Sequence, residues 1–249
     1  MVNILFLFSD QQRPDTMGCY GQDLKITETL DALAEDGVLF TKAFTVQPLC
    51  GPARAALQLG QYGTQSGIFK NGIAIDPDRI TMADVVRGNE GLFQTAYIGK
   101  WHLASSGSDT DETYYIDKGV PPELRGGYVD YWAASDLLEI TSHSYDGHMW
   151  DSDGNLLENS EGVYRADFVA NYAIDFLQNR DKKRPFFCFV SFLEPHHQND
   201  NKRYEGPHGS KEMFADFKVP EDLIGPGSED WPKGDWRENY PDYLGFSVF

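Results

Sequence analysis

Asn3-Ile4-Leu5-Phe6-Leu7-Phe8-Ser9 opens the chain with an unbroken apolar run. A strand with one wet face alternates apolar and polar residues; a continuous run implies a strand buried on both faces of a parallel sheet. Two further strand-like runs lie at Phe93 to Gly99 and at Pro185 to Leu193. Helices are predicted at Thr27 to Glu35 (closed by Gly37), Pro52 to Leu59, Thr81 to Arg87 and Val163 to Gln178. The last sets Val169, Ala173 and Phe176 on one face, flanked by Phe168 and Tyr172, which is ordinary core packing. This β/α alternation predicts an α/β fold with a mainly parallel sheet sandwiched by helices. At 249 residues a single domain is expected.

Between Ser105 and Glu161 the composition shifts to Gly, Asp, Ser, Tyr and Trp, and 105–161 reads as an aromatic, Gly-rich insertion within that domain. Within it, residues 145–156 read as a hairpin turning at Asp153-Gly154. Asp151 and Asp153 lack the spaced ligands and closing Glu of an EF-hand, so the cluster is read as a turn. Tyr128, Tyr131 and Trp132, with the tail after Gln198, are expected either to wall a pocket or to pack on the core.

The chemistry centres on Cys50-Gly51-Pro52-Ala53-Arg54. Pro is best tolerated in the first turn of a helix, so Cys50 should stand at or just before a helix N-terminus. Unpaired N–H groups and the positive end of the dipole favour an anion there. Arg54 lies one turn on and on the same face. A lone cysteine is more often a buried structural thiol, but here a nucleophile stands beside a fixed cation. The phosphatase cysteine loop needs about five residues between Cys and Arg, and only three intervene here.

The run resembles the sulfatase signature Cys-x-Pro-x-Arg, with Ala53 where Ser is usual. Three other blocks resemble the same family in the same order. Ser9-Asp10-Gln11-Gln12-Arg13-Pro14-Asp15 with Met17-Gly18-Cys19-Tyr20-Gly21 resembles its opening; Gly99-Lys100-Trp101-His102 resembles its Gly-Lys-Trp-His; and Phe192-Leu193-Glu194-Pro195-His196 resembles its Phe-x-x-Pro-His. The Asp10-Gln11 pair is similar to the choline-sulfatase and phosphonate-monoester-hydrolase branches. Each of these three blocks follows a strand-like run, and strand ends are where open α/β sheets place ligands. On an extended segment Lys100 and His102 would share a face.

The resemblance implies an alkaline-phosphatase-like sulfatase domain that hydrolyses a sulfate monoester. It implies that Cys50 is oxidised to formylglycine (3-oxoalanine) by a formylglycine-generating enzyme, and that one hydroxyl of the hydrated aldehyde attacks sulfur while the second later expels sulfate. Asp10, Gln11 and residue 50 would hold a hard cation, Ca²⁺ or else Mg²⁺ or Mn²⁺, as oxygen ligands suit. Arg54 would stabilise the diol oxygen, Lys100 bind the sulfate, His102 act on the diol proton and His196 protonate the leaving alcohol. Asn71 stands where relatives keep an Asn near the sulfate, and His197 is able to exchange roles with His196. A phosphonate or phosphate monoester hydrolase on the same scaffold is the competing reading.

The family's later Asp-His-Gly or Asp-Asn-Gly stretch and second lysine are not found in this sequence. Asp230-Trp231 and Asp235-Trp236 lie in an acidic loop without a preceding apolar strand, and Tyr240 to Leu244 resembles the start of the next family helix. The chain is therefore expected to be an N-terminal portion, truncated, either inactive or needing a second chain or self-association to complete the site.

The composition is 41% hydrophobic and 24% charged, that of a soluble globular protein. A net charge of −18 argues against nucleic acid and anionic membranes as partners. A small sulfate ester would then be drawn in by cations at the site. Cys19, Cys50 and Cys188 show no paired spacing, which suggests a reducing compartment. No leader or membrane-spanning run is visible, so a cytoplasmic location is expected.

Overall fold

The computed structural model describes residues 2–107, 111–198, 200, 201, 203–220 and 236–246. They fall into two compact units, Met1–Phe8 with Phe44–Leu193, and Ser9–Ala43 with Glu194–Phe249.

The first unit holds a six-stranded sheet of β1 (Ile4–Phe8), β2 (Gln94–Lys100), β3 (Tyr131–Ser135), β4 (His148–Asp151), β5 (Leu156–Glu158) and β6 (Phe186–Ser191). Their order across the sheet is β1-β6-β2-β3-β4-β5. The β1–β6, β6–β2 and β2–β3 pairs are parallel, and β3–β4 and β4–β5 are antiparallel. The expected mainly parallel sheet is present, and the stretch read as an insertion contributes β3, β4 and β5 to it.

Alternate residues of the central strands feed two separate cores. Tyr97, Trp132, Phe187 and Phe189 lie in one, with Ala55 of helix α2 (Cys50–Leu59) and Ala83 of helix α4 (Met82–Arg87). Ile98, Ala133, Cys188 and Val190 lie in the other, with Phe168, Val169 and Phe176 of helix α6 (Arg165–Asn179). Each fully buried large aliphatic or aromatic side chain contributes about 1.5–3 kcal/mol. Tyr128 and Trp132 are 1% and 2% exposed, so of the two readings offered for them, core packing holds. The hairpin also forms: Gly154 adopts φ +82°, and the Asp151 carboxylate accepts the N–H groups of Asp153 and Asn155 at 2.8 Å each.

β1 departs from expectation. It stands at the margin of the sheet, and Ile4, Leu5 and Leu7 are exposed while Phe6 and Phe8 turn inward. Phe6 stacks on Phe189 at 4.6 Å between centroids. The run is apolar on both faces but covered on one.

The second unit carries helix α1 (Glu28–Asp36), helix α7 (Ser210–Met213) and helix α8 (Trp236–Phe246), with short 3₁₀ turns at Pro14–Thr16 and Gly18–Tyr20. Tyr204, Tyr240 and Tyr243 pack edge-on or stacked at 5.2–5.7 Å. Tyr240 to Leu244 is helical as expected; Asp230, Trp231 and Asp235 lie outside the described residues. The first unit also holds two short α-helices, α3 (Gly63–Ser66) and α5 (Leu138–Thr141), and a 3₁₀ turn at Pro122–Leu124.

Candidate active site

Cys50 is the first residue of α2, as its spacing from Pro52 predicts. Gly51 follows because an added Cβ would stand 3.0 Å from Asn71 Oδ1, which accepts the Gly51 N–H at 2.9 Å. Asn71 thus caps the start of α2, satisfying one of the donors that a helix N-terminus leaves open.

Arg54 is 4% exposed, and its guanidinium lies 5.2 Å from the centre of the Phe8 ring. Its Nη1 donates to the Lys100 carbonyl at 2.7 Å and to Ser191 Oγ at 2.8 Å. Tyr97 Oη donates to the same carbonyl at 2.6 Å. Arg54 therefore joins α2 to the carboxyl ends of β2 and β6. Gly99 permits their close approach: it adopts φ +98°, and a Cβ there would run into the Ser191 carbonyl.

Lys100, the last residue of β2, is fully buried. Its Nζ lies 3.8 Å from Cys50 Sγ and 3.0 Å from Glu139 Oε1. His102 Nδ1 lies 3.6 Å from the same oxygen. The expected extended segment ends at Lys100, and His102 has φ +60°, so the chain turns out of the strand there; the two side chains still lie together, through Glu139.

That turn is held by Asp136. Its carbonyl accepts the His102 N–H at 2.8 Å, and its carboxylate accepts the N–H groups of Leu103, Ala104 and Ser105 at 2.8–2.9 Å. Burial pushes the Asp136 carboxyl above the usual range, against the pull of those hydrogen bonds. Neither Asp136 nor Glu139 is among the residues that the sequence singles out. The available signal is two acids within Asp136-Leu137-Leu138-Glu139, an otherwise apolar run directly after β3, all of it buried.

In the second unit Asp10 is buried, and its N–H donates to the Glu194 carbonyl at 3.2 Å. A carboxylate oxygen of Asp10 and a ring nitrogen of His196 lie within 4.8 Å of each other. Gln11, at φ +64°, accepts the His197 N–H on Oε1 at 3.0 Å. Tyr243 Oη donates to the Gln11 carbonyl at 2.8 Å and accepts the Arg13 N–H at 2.7 Å. The two histidines differ in setting. His196 Nδ1 faces the His197 carbonyl at 2.5 Å, which makes Nδ1 the protonated nitrogen, whereas the His197 ring packs edge-on against Tyr204 at 5.2 Å.

A hard cation takes oxygen ligands, and the Asp10 carboxylate suits one of those positions. Gln11 Oε1 keeps a second lone pair beyond the His197 N–H. The Asp10 carboxylate fits part of such a ligand set.

Residues 2–244 match the family model for sulfatases. The chain belongs to the sulfatase family. It is 34% identical over 224 residues to YidJ of Escherichia coli K12, a sulfatase of uncharacterised activity, spanning 86% of this chain and 41% of that one. It is 34% identical over 224 residues to an ulvan-active sulfatase of Formosa agariphila, spanning 89% of this chain and 39% of that one. The crystal structure of a Bacteroides fragilis protein assigned as the sulfatase yidJ matches 99% of this chain and 55% of its own at a TM-score of 0.78 and 26% identity. The chain thus spans about two fifths of these relatives' length and just over half of that structure's.

Proposed function

We propose that this chain carries the nucleophile-bearing part of a sulfuric ester hydrolase, with Cys50 converted to formylglycine by a generating enzyme. The observation that carries the reading is Cys50 at the start of α2 with the buried Lys100 ammonium 3.8 Å from its sulfur. Membership of the sulfatase family supports the choice of a sulfate over other anions.

Helix N-termini and buried cations suit an anionic ester. The α2 start and Lys100 bind the sulfuryl oxygens, and Arg54 holds α2 against the strand ends that carry Lys100. His102 moves a proton at residue 50. Asp10 and His196 follow the carboxyl ends of β1 and β6 in the chain, where such folds gather ligands. His196, with Nδ1 facing a carbonyl, offers Nε2 to the leaving alcohol. A Ca²⁺, Mg²⁺ or Mn²⁺ held by Asp10, with Gln11 as a second ligand, would supply Lewis-acid polarisation. The sheet margin at β1 is the place where a second chain or a second copy would join.

The test is co-expression with a formylglycine-generating enzyme, peptide mapping of residue 50, and turnover of matched aryl sulfate and aryl phosphonate esters with and without divalent metal. Aldehyde at residue 50 and metal-dependent preference for sulfate are expected. A preference for the phosphonate would transfer the assignment to a phosphonate monoester hydrolase. Aldehyde without any turnover or metal binding would identify this chain alone as inactive. Among the described residues no helix is long and apolar enough to cross a membrane.

A further inference from the structure

Glu139 lies on α5, 2% exposed, and one of its oxygens reaches two of the proposed functional side chains. Oε1 is 3.0 Å from Lys100 Nζ and 3.6 Å from His102 Nδ1. A buried ammonium is costly without a counter-charge, and a buried carboxylate is costly without a cation. Lys100 and Glu139 meet that need for each other. A purely structural ion pair would end there, but this carboxylate also faces the imidazole two residues after the lysine.

The same short segment governs the His102 backbone. His102 sits at φ +60°, a conformation that costs a side-chain-bearing residue about 1–3 kcal/mol unless its surroundings over-determine it. Asp136 supplies that determination through the His102 N–H and the next three N–H groups. Asp136 thus sets where the imidazole starts, and Glu139, three residues on, sets which way it faces.

We propose that Glu139 is the positioning residue of this site, fixing the Lys100 ammonium and orienting the His102 imidazole with Nδ1–H toward its carboxylate. Nε2, on the far side of the ring, is then the nitrogen that exchanges a proton with residue 50. At 3.6 Å the Glu139–His102 approach is longer than a hydrogen bond, and it is an ion pair only when both ring nitrogens are protonated. Catalytic contacts commonly tighten when substrate is bound. An imidazole whose Nδ1 faces an anion carries its proton there, as in other acid–histidine pairs. This inference rests on the hydrolase reading for its consequence, though the orientation itself is measurable without turnover.

The experiment uses the full chain labelled with ¹⁵N-histidine, long-range ¹H–¹⁵N spectra, and His102→Gln to assign the ring among the six histidines. Wild-type His102 is expected as the Nδ1–H tautomer, retained in Glu139→Asp, which keeps a carboxylate, and lost in Glu139→Leu, which leaves no acceptor facing Nδ1. An Nε2–H tautomer in the wild type overturns the proposal, as does an unchanged tautomer in a folded Glu139→Leu protein. If Glu139→Leu fails to fold, the wild-type spectrum still decides. On aldehyde-bearing protein, Glu139→Gln should lower kcat/KM on the order of 100-fold, with Glu139→Asp recovering most of it. Absence of wild-type turnover would identify this chain alone as inactive and leave the spectral result standing on its own.

Discussion

Arg54 Nη1 donates to the carbonyl oxygen of Lys100 at 2.7 Å, so the helix that begins with Cys50 is fastened to the strand that ends with Lys100. Arg54→Ala removes that bond and the one to Ser191 Oγ, and empties a buried site. The Lys100 carbonyl keeps Tyr97 Oη as a donor, which limits the loss. Destabilisation of about 2–4 kcal/mol is expected from urea unfolding. Arg54→Lys should recover only part, because an ammonium cannot reproduce the planar fork.

Gly99→Ala should be worse. The residue has φ +98°, and its added methyl would collide with the Ser191 carbonyl, which belongs to a neighbouring strand and cannot move away cheaply. A loss of about 3 kcal/mol or more, read as a fall in Tm or as insoluble expression, is the expected result. A soluble variant with wild-type Tm would contradict this geometry.

Asp136 makes stability pH-dependent in a stated direction. Burial raises its folded pKa above the ordinary aspartate value, so the folded state binds the proton more tightly than the unfolded chain. Stability from this group is fully present below about pH 4, the unfolded value, and is lost as pH rises through the folded pKa. The advantage of wild type over Asp136→Asn should therefore shrink across that window in urea titrations. A growing advantage would mean that the three backbone donors outweigh burial.

The three thiols should separate by reactivity. Cys188 is fully buried, and burial pushes its thiol up to about 12, so iodoacetamide at about pH 8 should leave it unlabelled until the chain unfolds. Cys19 is also shifted upward, by burial and then by Asp31, and should label more slowly than cysteine in a short peptide. Peptide mapping by mass spectrometry reads both. Cys50→Ala should abolish any ester turnover, whereas Cys19→Ala should alter stability at most.

The sequence discloses what repeats or stands at a fixed offset. Pro52 locates the start of α2 at Cys50, and the apolar runs locate β2 and β6 to within about a residue or two. The same rule misreads β1, because apolar composition reports tolerance of burial and cannot report which side a neighbour covers. Lys100 and His102 are legible, but the reason they act together is not. It depends on a positive φ at His102 and on Glu139, 39 residues beyond Lys100, and neither leaves a periodic trace. His196 and His197 are inseparable in sequence, and are distinguished only by a carbonyl facing one ring and an aromatic edge against the other.

The margin at β1 gives the acidity of this chain a use beyond hydration. Ile4, Leu5 and Leu7 present apolar side chains along a strand with one hydrogen-bonded neighbour among the described residues, the arrangement that invites edge-to-edge pairing. A charge of −18 on every copy repels the next copy before such edges meet. Added electrolyte shortens the reach of that repulsion, to about 10 Å at 0.1 M and about 3 Å at 1 M. Colloidal behaviour should therefore run opposite to a chain held together by surface ion pairs: dilute buffer keeps copies apart, and salt lets them stack.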